Sequence, residues 1–287
     1  MRIILLLLVG ISISFLSTAQ QPLAFKVYDT KLKKEISLQE LVGSIDQVQV
    51  LFFGEEHNDS IAHVLQDSVY ALMLSKYGRV ALSMEMFERD VQHVVDEYLQ
   101  GMITESVFTK DARAWPNYAK DYRRMIERAK IIQMPVLAAN PPRRYVNLVS
   151  RRGVASLDSL SKQAKQYIAP LPIDTIQPAY FEKFVEIMGG HAQLRNRNIY
   201  YAQSVWDAGM SFTIHQFMKK QKKGWKVLHL NGRFHTDYQL GTFEQLKRRN
   251  KGLTLANISS FAVERLDQIN WESYSQLGDF VIVTKKP

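Results

Sequence analysis

The sequence predicts an α/β fold in three layers: a mainly parallel sheet flanked by helices, with a smaller helical subdomain. Three observations carry this. Short apolar runs recur and stop at glycine or a polar cluster, the form of strands buried on both faces. Amphipathic helical patterns alternate with those runs, which gives parallel strand–helix–strand units. Three runs also end in residues that carry chemistry. Residues 50–57 close on Gly54-Glu55-Glu56-His57, residues 80–85 on Glu85, and residues 227–235 on Gly232-Arg233-Phe234-His235. Ligands of open α/β sheets sit beyond the carboxyl ends of the strands, so one sheet would bring Glu55, His57, Glu85 and His235 to one edge.

The elements follow in order. Residues 1–19 read as a secretory signal peptide: Arg2, an apolar run from Ile3, then Ser17-Thr18-Ala19 before a cut at Gln20. Residues 20–287 then form one domain. Asn58-Asp59-Ser60 supplies an N-cap, and a helix runs over residues 60–76 to Gly78 with Ile61, Val64, Leu65, Val69, Leu72 and Met73 on one face. A strand at 80–84 follows, and the pair reads as a right-handed crossover. Helical patterns at roughly 88–130 and 143–190 are expected to form an insert or lid. Between them, a strand at 136–140 stops at Pro141-Pro142 and should add a fourth end to the same edge. A long helix at 193–220, a strand at 225–230 and strands at 253–258 and 280–284 complete the chain.

Composition narrows the chemistry. There is no cysteine, which excludes disulfides, thiolate metal sites, a cysteine nucleophile, c-type haem attachment and a lipid-bearing cysteine. No later segment is long and apolar enough to span a membrane. The chain is therefore read as soluble, in the periplasm or cell envelope, and not a lipoprotein. Formal net charge is +9, one less without Arg2, and it sits in runs such as Lys219-Lys220-Gln221-Lys222-Lys223. These runs lack interleaved aromatics. No nucleic acid is expected; an anionic small molecule or membrane surface suits the charge better. A homodimer stays open.

Glu55 and Glu56 are not explained by capping, and a carboxylate at the end of a buried strand wants a partner. Glu85 sits in an apolar run and is either a ligand or half of an ion pair, with Arg143 as the expected partner. Two imidazoles and two carboxylates at one edge suit a divalent metal, acid–base work or an axial bond to haem iron. His63, His93, His191, His215 and His229 read as structural.

Taken in order, Gly54-Glu55-Glu56-His57 with His63, Glu85-Met86-Phe87, Trp115, Asn140-Pro141-Pro142-Arg143, the Gln203…Asp207…Met210 helix and Gly232-x-x-His235 resemble the ChaN-like haem-binding uptake proteins. These share a superfamily with the TIKI metalloproteases and the erythromycin esterases. The resemblance implies an exported haem-binding protein in haem or iron acquisition. Tyr238 is then the first candidate for the iron, with Tyr200 and Tyr201 as alternatives and His235 and Arg143 beside the cofactor. The TIKI branch implies another reading: a metal-dependent hydrolase in which Glu55, His57, Glu85 and His235 hold Mn²⁺ or Zn²⁺ and activate water. A site that has lost its activity, in a protein serving as a scaffold, is the third.

Overall fold

The computed structural model describes residues 24–189, 197–221 and 223–286. The expected leader, His191 and the start of the helix expected from 193 lie outside them. Eight strands form one sheet: β1 (Phe25–Asp29), β2 (Lys34–Ile36), β3 (Val50–Glu55), β4 (Val80–Glu88), β5 (Val136–Asn140), β6 (Lys226–Gly232), β7 (Leu255–Val263) and β8 (Phe280–Lys285), in the order β2-β1-β8-β7-β3-β6-β4-β5. All pairings from β8 to β5 are parallel. The exception is the β1–β2 hairpin, antiparallel to itself and to β8. Its strands are short and half polar, so they carry no apolar run to be read.

β3 and β4 are parallel but not neighbours, because β6 runs between them. The β4 strand also continues to Glu88, with a register shift after Met84. Glu85 is therefore inside a strand rather than at its end.

Helix α1 (Leu38–Ser44) starts at a Ser37–Glu40 capping box. Helix α2 (Ser60–Tyr77) starts at Asp59, whose side chain accepts from the amides of Ile61 and Ala62, and stops at Gly78 with φ 73°. Such a cap is worth about 1 kcal/mol. Helices α3 (Gln92–Leu99), α4 (Glu105–Asp111) and α5 (Arg123–Ile131) were expected within a lid. Instead Val94, Val95, Tyr98, Phe108, Met125 and Ile126 join the principal core, with Leu51, Phe53, Leu82, Met84, Leu228 and Leu230 of the sheet. This layer is part of the core because its apolar stripes face the strands.

Helices α6 (Arg143–Arg152), α7 (Lys162–Lys165) and α8 (Pro178–Ile187) precede the long α9 (Asn198–Lys220), and α10 (Thr242–Arg249) follows β6. Val146, Val149, Leu157 and Ile168 pack on Ala202, Val205 and Ala208 of α9 as a separate small core. On the other face of the sheet, Val50, Phe52, Ala81 and Val227 meet Ile214 of α9 and Phe243 and Leu246 of α10. Odd-numbered β3 residues thus face α2, and even-numbered ones face α9 and α10. Among the described residues no helix is long and apolar enough to cross a membrane.

Candidate functional site

The four expected residues all reach the carboxyl edge of the sheet as two pairs, Glu55 with His57 and Glu85 with His235, which start from opposite strand phases and meet beside Gly232. Glu55 shares the phase of Leu51 and Phe53 and points to the α2 side. Residue 55 is level with Gly232, and the common register of β3, β6 and β4 puts Glu85 one step out of phase with it. Glu85 therefore points to the α9 side.

The first cluster centres on buried Glu55. Its Oε1 accepts from the Tyr122 hydroxyl at 2.5 Å and lies 2.8 Å from His57 Nδ1. Its Oε2 accepts from the Gln66 amide. His63 is buried with Nε2 3.5 Å from Glu55 Oε1 and Nδ1 3.2 Å from Asp121 Oδ1. Burial pushes the Glu55 carboxyl up, and the hydrogen bonds from His57 and His63 more than reverse this, so it lies below the usual range. The His57 imidazole is lifted. Burial works against its charge, but Glu55 and the charge of Glu85 outweigh it. Its ring stays half exposed and meets Trp115 edge-on at 5.0 Å. Asp121 and Tyr122 come from a π-helical turn, Tyr118–Tyr122, a form often found at functional sites.

The second cluster centres on His235, in a 3₁₀ turn after β6. Its Nδ1 lies 2.7 Å from Asp207 Oδ1 and its Nε2 3.5 Å from Glu85 Oε1. Thr242 donates to the same Asp207 oxygen at 2.8 Å. Gln203 stands within 3.1 Å of the ring and 3.2 Å of the Tyr180 hydroxyl. Burial disfavours the imidazolium, but Glu85 and Asp207 hold His235 protonated well above its ordinary range. Burial likewise opposes the Glu85 charge, and His235 overcomes it. The expected Glu85–Arg143 pair is not formed. Glu85 instead accepts from the Gly232 amide at 2.8 Å and faces His235, because its strand phase turns it toward α9.

The two turns fit into one another through their glycines. A Cβ on Gly54 would lie 2.8 Å from the Arg233 Cα of the second turn. A Cβ on Gly232 would lie 2.9 Å from His57 Nε2 of the first. Neither glycine has a positive φ; both serve close approach. Glu56 adds a strap, accepting from the Ala262 amide of β7 at 3.2 Å.

His63, set aside as structural, belongs to the first cluster. Nothing in the sequence marked Asp121, Tyr122 or Gln66. Gln203 and Asp207, already singled out in the resemblance, are polar residues four apart within a buried stripe of α9. His229 is buried and bonded to Ser83 at 2.9 Å, and burial drives its pKa down to about 3. Tyr200 is packed with Tyr180 and Phe184, and Tyr201 borders the same cluster.

The residues expected around one cofactor do not share a cleft. Arg143 lines one of about 490 Å³ with Glu85, Trp115, Asn140 and Trp206. Tyr238 lines a groove of about 780 Å³ with Lys183, Ile187, Arg233, Leu240 and Leu277. His235 is enclosed between Asp207 and Glu85. Among the described residues no group of three or more His, Asp or Glu is set to hold a metal ion. The donors expected for one are paired with each other, Glu55 with His57 and Glu85 with His235.

Residues 41–246 match a family described as "Haem-binding uptake, Tiki superfamily, ChaN". The chain belongs to this ChaN family. The fold agrees. The ChaN structure from Campylobacter jejuni, titled for cofacial haem binding, superposes with a TM-score of 0.68 at 15% identity, covering 92% of this chain and 98% of that one. A Bacillus cereus protein gives 0.55 at 10% identity, covering 88% and 92%. An erythromycin esterase mutant in its open conformation gives 0.48 at 11%, covering 91% and 83%. No curated protein matches the chain in sequence.

Proposed function

We propose that this ChaN-family protein is an exported haem-binding protein of the cell envelope, serving haem or iron acquisition, and that Tyr238 is its iron ligand. One observation carries the assignment. Tyr238 is 47% exposed, and among the described residues its hydroxyl makes no hydrogen bond. A free phenolic oxygen is a known axial donor to haem iron. The groove fits the rest of the group. Leu240, Leu277 and Ile187 offer apolar surface and Lys183 offers a cation for a propionate, while Arg233 is already paired with Asp237 at 2.8 Å. The Lys183 ammonium is held by the Phe234 carbonyl at 3.1 Å and lies 5.1 Å from the Tyr238 ring centre.

The hydrolase alternative has less support. Glu55, His57, Glu85 and His235 are spent on internal pairs, and Glu55 and Glu85 point to opposite faces of the sheet. Its remaining asset is the half-exposed His57 beside the Trp115 cleft.

The test begins with protein from the envelope fraction, its N-terminus read by mass spectrometry and expected at Gln20. Titration with hemin should give a saturable Soret shift. Tyr238→Phe should weaken it, whereas Tyr70→Phe, in the buried core, should not. Equal effects would remove Tyr238 as the ligand. No saturable shift in the wild type would remove haem.

A further inference from the structure

We propose that the amino edge of the sheet, opposite the two histidine clusters, is a docking face for an anionic phospholipid membrane. Register sets the geometry. Val50 is level with Val227 and Leu255, Ala81 with Val227, and Leu82 with Val136. The loops that lead into these strands therefore leave the sheet along one line. The β1–β2 turn joins them, because Asp29 at the end of antiparallel β1 pairs with Phe280 at the start of β8.

This edge is basic. Lys31 and Lys33 stand on the β1–β2 turn, Arg79 before β4, Lys220 and Lys223 before β6, and Lys251 before β7, all exposed. Among the described residues none of these six side chains has an ion-pair or hydrogen-bond partner. Of the acids nearby, Asp29 and Asp279 are bound to backbone amides and offset two of the six charges, Asp29 accepting from Lys31 and Leu32. Asp46 is held by Lys76 at 2.6 Å and by the Tyr77 hydroxyl at 3.0 Å, and Asp279 accepts from the Asn257 amide at 2.9 Å. Charge is thus left over on one side of the molecule, spread across the line of loop tips rather than lining a groove.

Two apolar tips decide the partner. Leu32 on the hairpin turn is 58% exposed, and Ile131 at the end of α5, just before β5, is 79% exposed. An aliphatic side chain gains nothing against a phosphodiester backbone, but it gains by entering the headgroup layer beside lysines that meet lipid phosphates. Docked this way, the sheet stands with its carboxyl edge, and both histidine clusters, turned to solvent.

Sedimentation with vesicles tests the proposal. The purified protein should bind mixed phosphatidylcholine–phosphatidylglycerol vesicles over phosphatidylcholine alone, and high salt should weaken the difference. Each lysine near such a surface is worth about fivefold. The triple variant Lys31→Gln, Lys33→Gln, Lys251→Gln should then bind about a hundredfold more weakly. Leu32→Asp should weaken binding further, and Lys120→Gln, on the π-helical turn at the other edge, should leave it unchanged. All five altered or control side chains are exposed, and circular dichroism confirms the fold of each variant. Equal binding to neutral and mixed vesicles, an unchanged triple variant, or capture of an RNA with no vesicle binding would overturn the proposal.

Discussion

His57 and His235 end turns of the same Gly-x-x-His form. His57 keeps 45% of its side chain exposed and leans on Trp115, whereas His235 keeps 9% and is closed between Asp207 and Glu85. The difference does not come from the turns. It comes from what stands behind them: α2 and the π-helical turn on one face, α9 and α10 on the other. A short motif sets where a histidine starts, and the packing layer sets what it does.

The largest expected effect tests this contrast. Removing His235 leaves Glu85 and Asp207 buried without their cation, and breaking a buried pair in this way costs about 3–5 kcal/mol. His235→Ala should lose that much in denaturant unfolding. His57→Ala should lose less than about 1 kcal/mol, since its ion pair is open to solvent on one side. Similar losses would break the comparison.

Next come the glycines. Gly54→Ala drives a Cβ into backbone, the Arg233 Cα, and should cost about 1–3 kcal/mol. In Gly232→Ala the obstacle is the tip of the His57 ring, which can swing away. That variant should stay close to wild-type stability while the His57 ring resonances move. A larger loss at Gly232 would mean that the His57 ring is fixed.

The smallest effect is in pH. His57, raised in the folded protein, contributes stability that is fully present below about pH 6.5. That contribution is lost as pH rises through its folded pKa. His229 acts in the opposite sense. Held neutral to about pH 3, it takes up a proton on unfolding below about pH 6.5 and so costs stability in acid. NMR titration should place His57 above its ordinary value, return it toward that value in Glu55→Gln, and show His229 unchanged down to pH 5. A His57 that titrates normally would remove its pairing with Glu55.

Much of this was legible in the sequence because parallel strands announce themselves. The runs ending at Gly54, Met84, Asn140 and Leu230 needed only hydropathy, and the edge they share follows from the fold class. The β1–β2 hairpin was not legible, because Lys34-Glu35-Ile36 has no apolar face. The split between Glu55 and Glu85 was hidden for a different reason. Each strand's alternation can be read, but the register that compares two strands is set by pairing through β6. Asp121 and Tyr122 were hidden because a π-helical turn leaves no periodic trace. His63 was misread since a histidine in the first turn of a helix is usually bland, and only Asp121 behind it makes it part of a network.

Tyr238 and Gln239 are consecutive residues in the left-handed region, at φ 62° and 58°. The Tyr238 amide is tied to the Leu277 carbonyl at 2.9 Å, and Asn257 donates to both Thr236 and Leu277 carbonyls. A backbone of that hand suits glycine and costs a side-chain-bearing residue roughly 1–2 kcal/mol. That is a sizeable share of a folding margin of about 5–15 kcal/mol. A glycine at 238 would relax the loop and delete the phenol in one step. Position 238 thus carries a backbone cost that only the loss of its phenol would relieve.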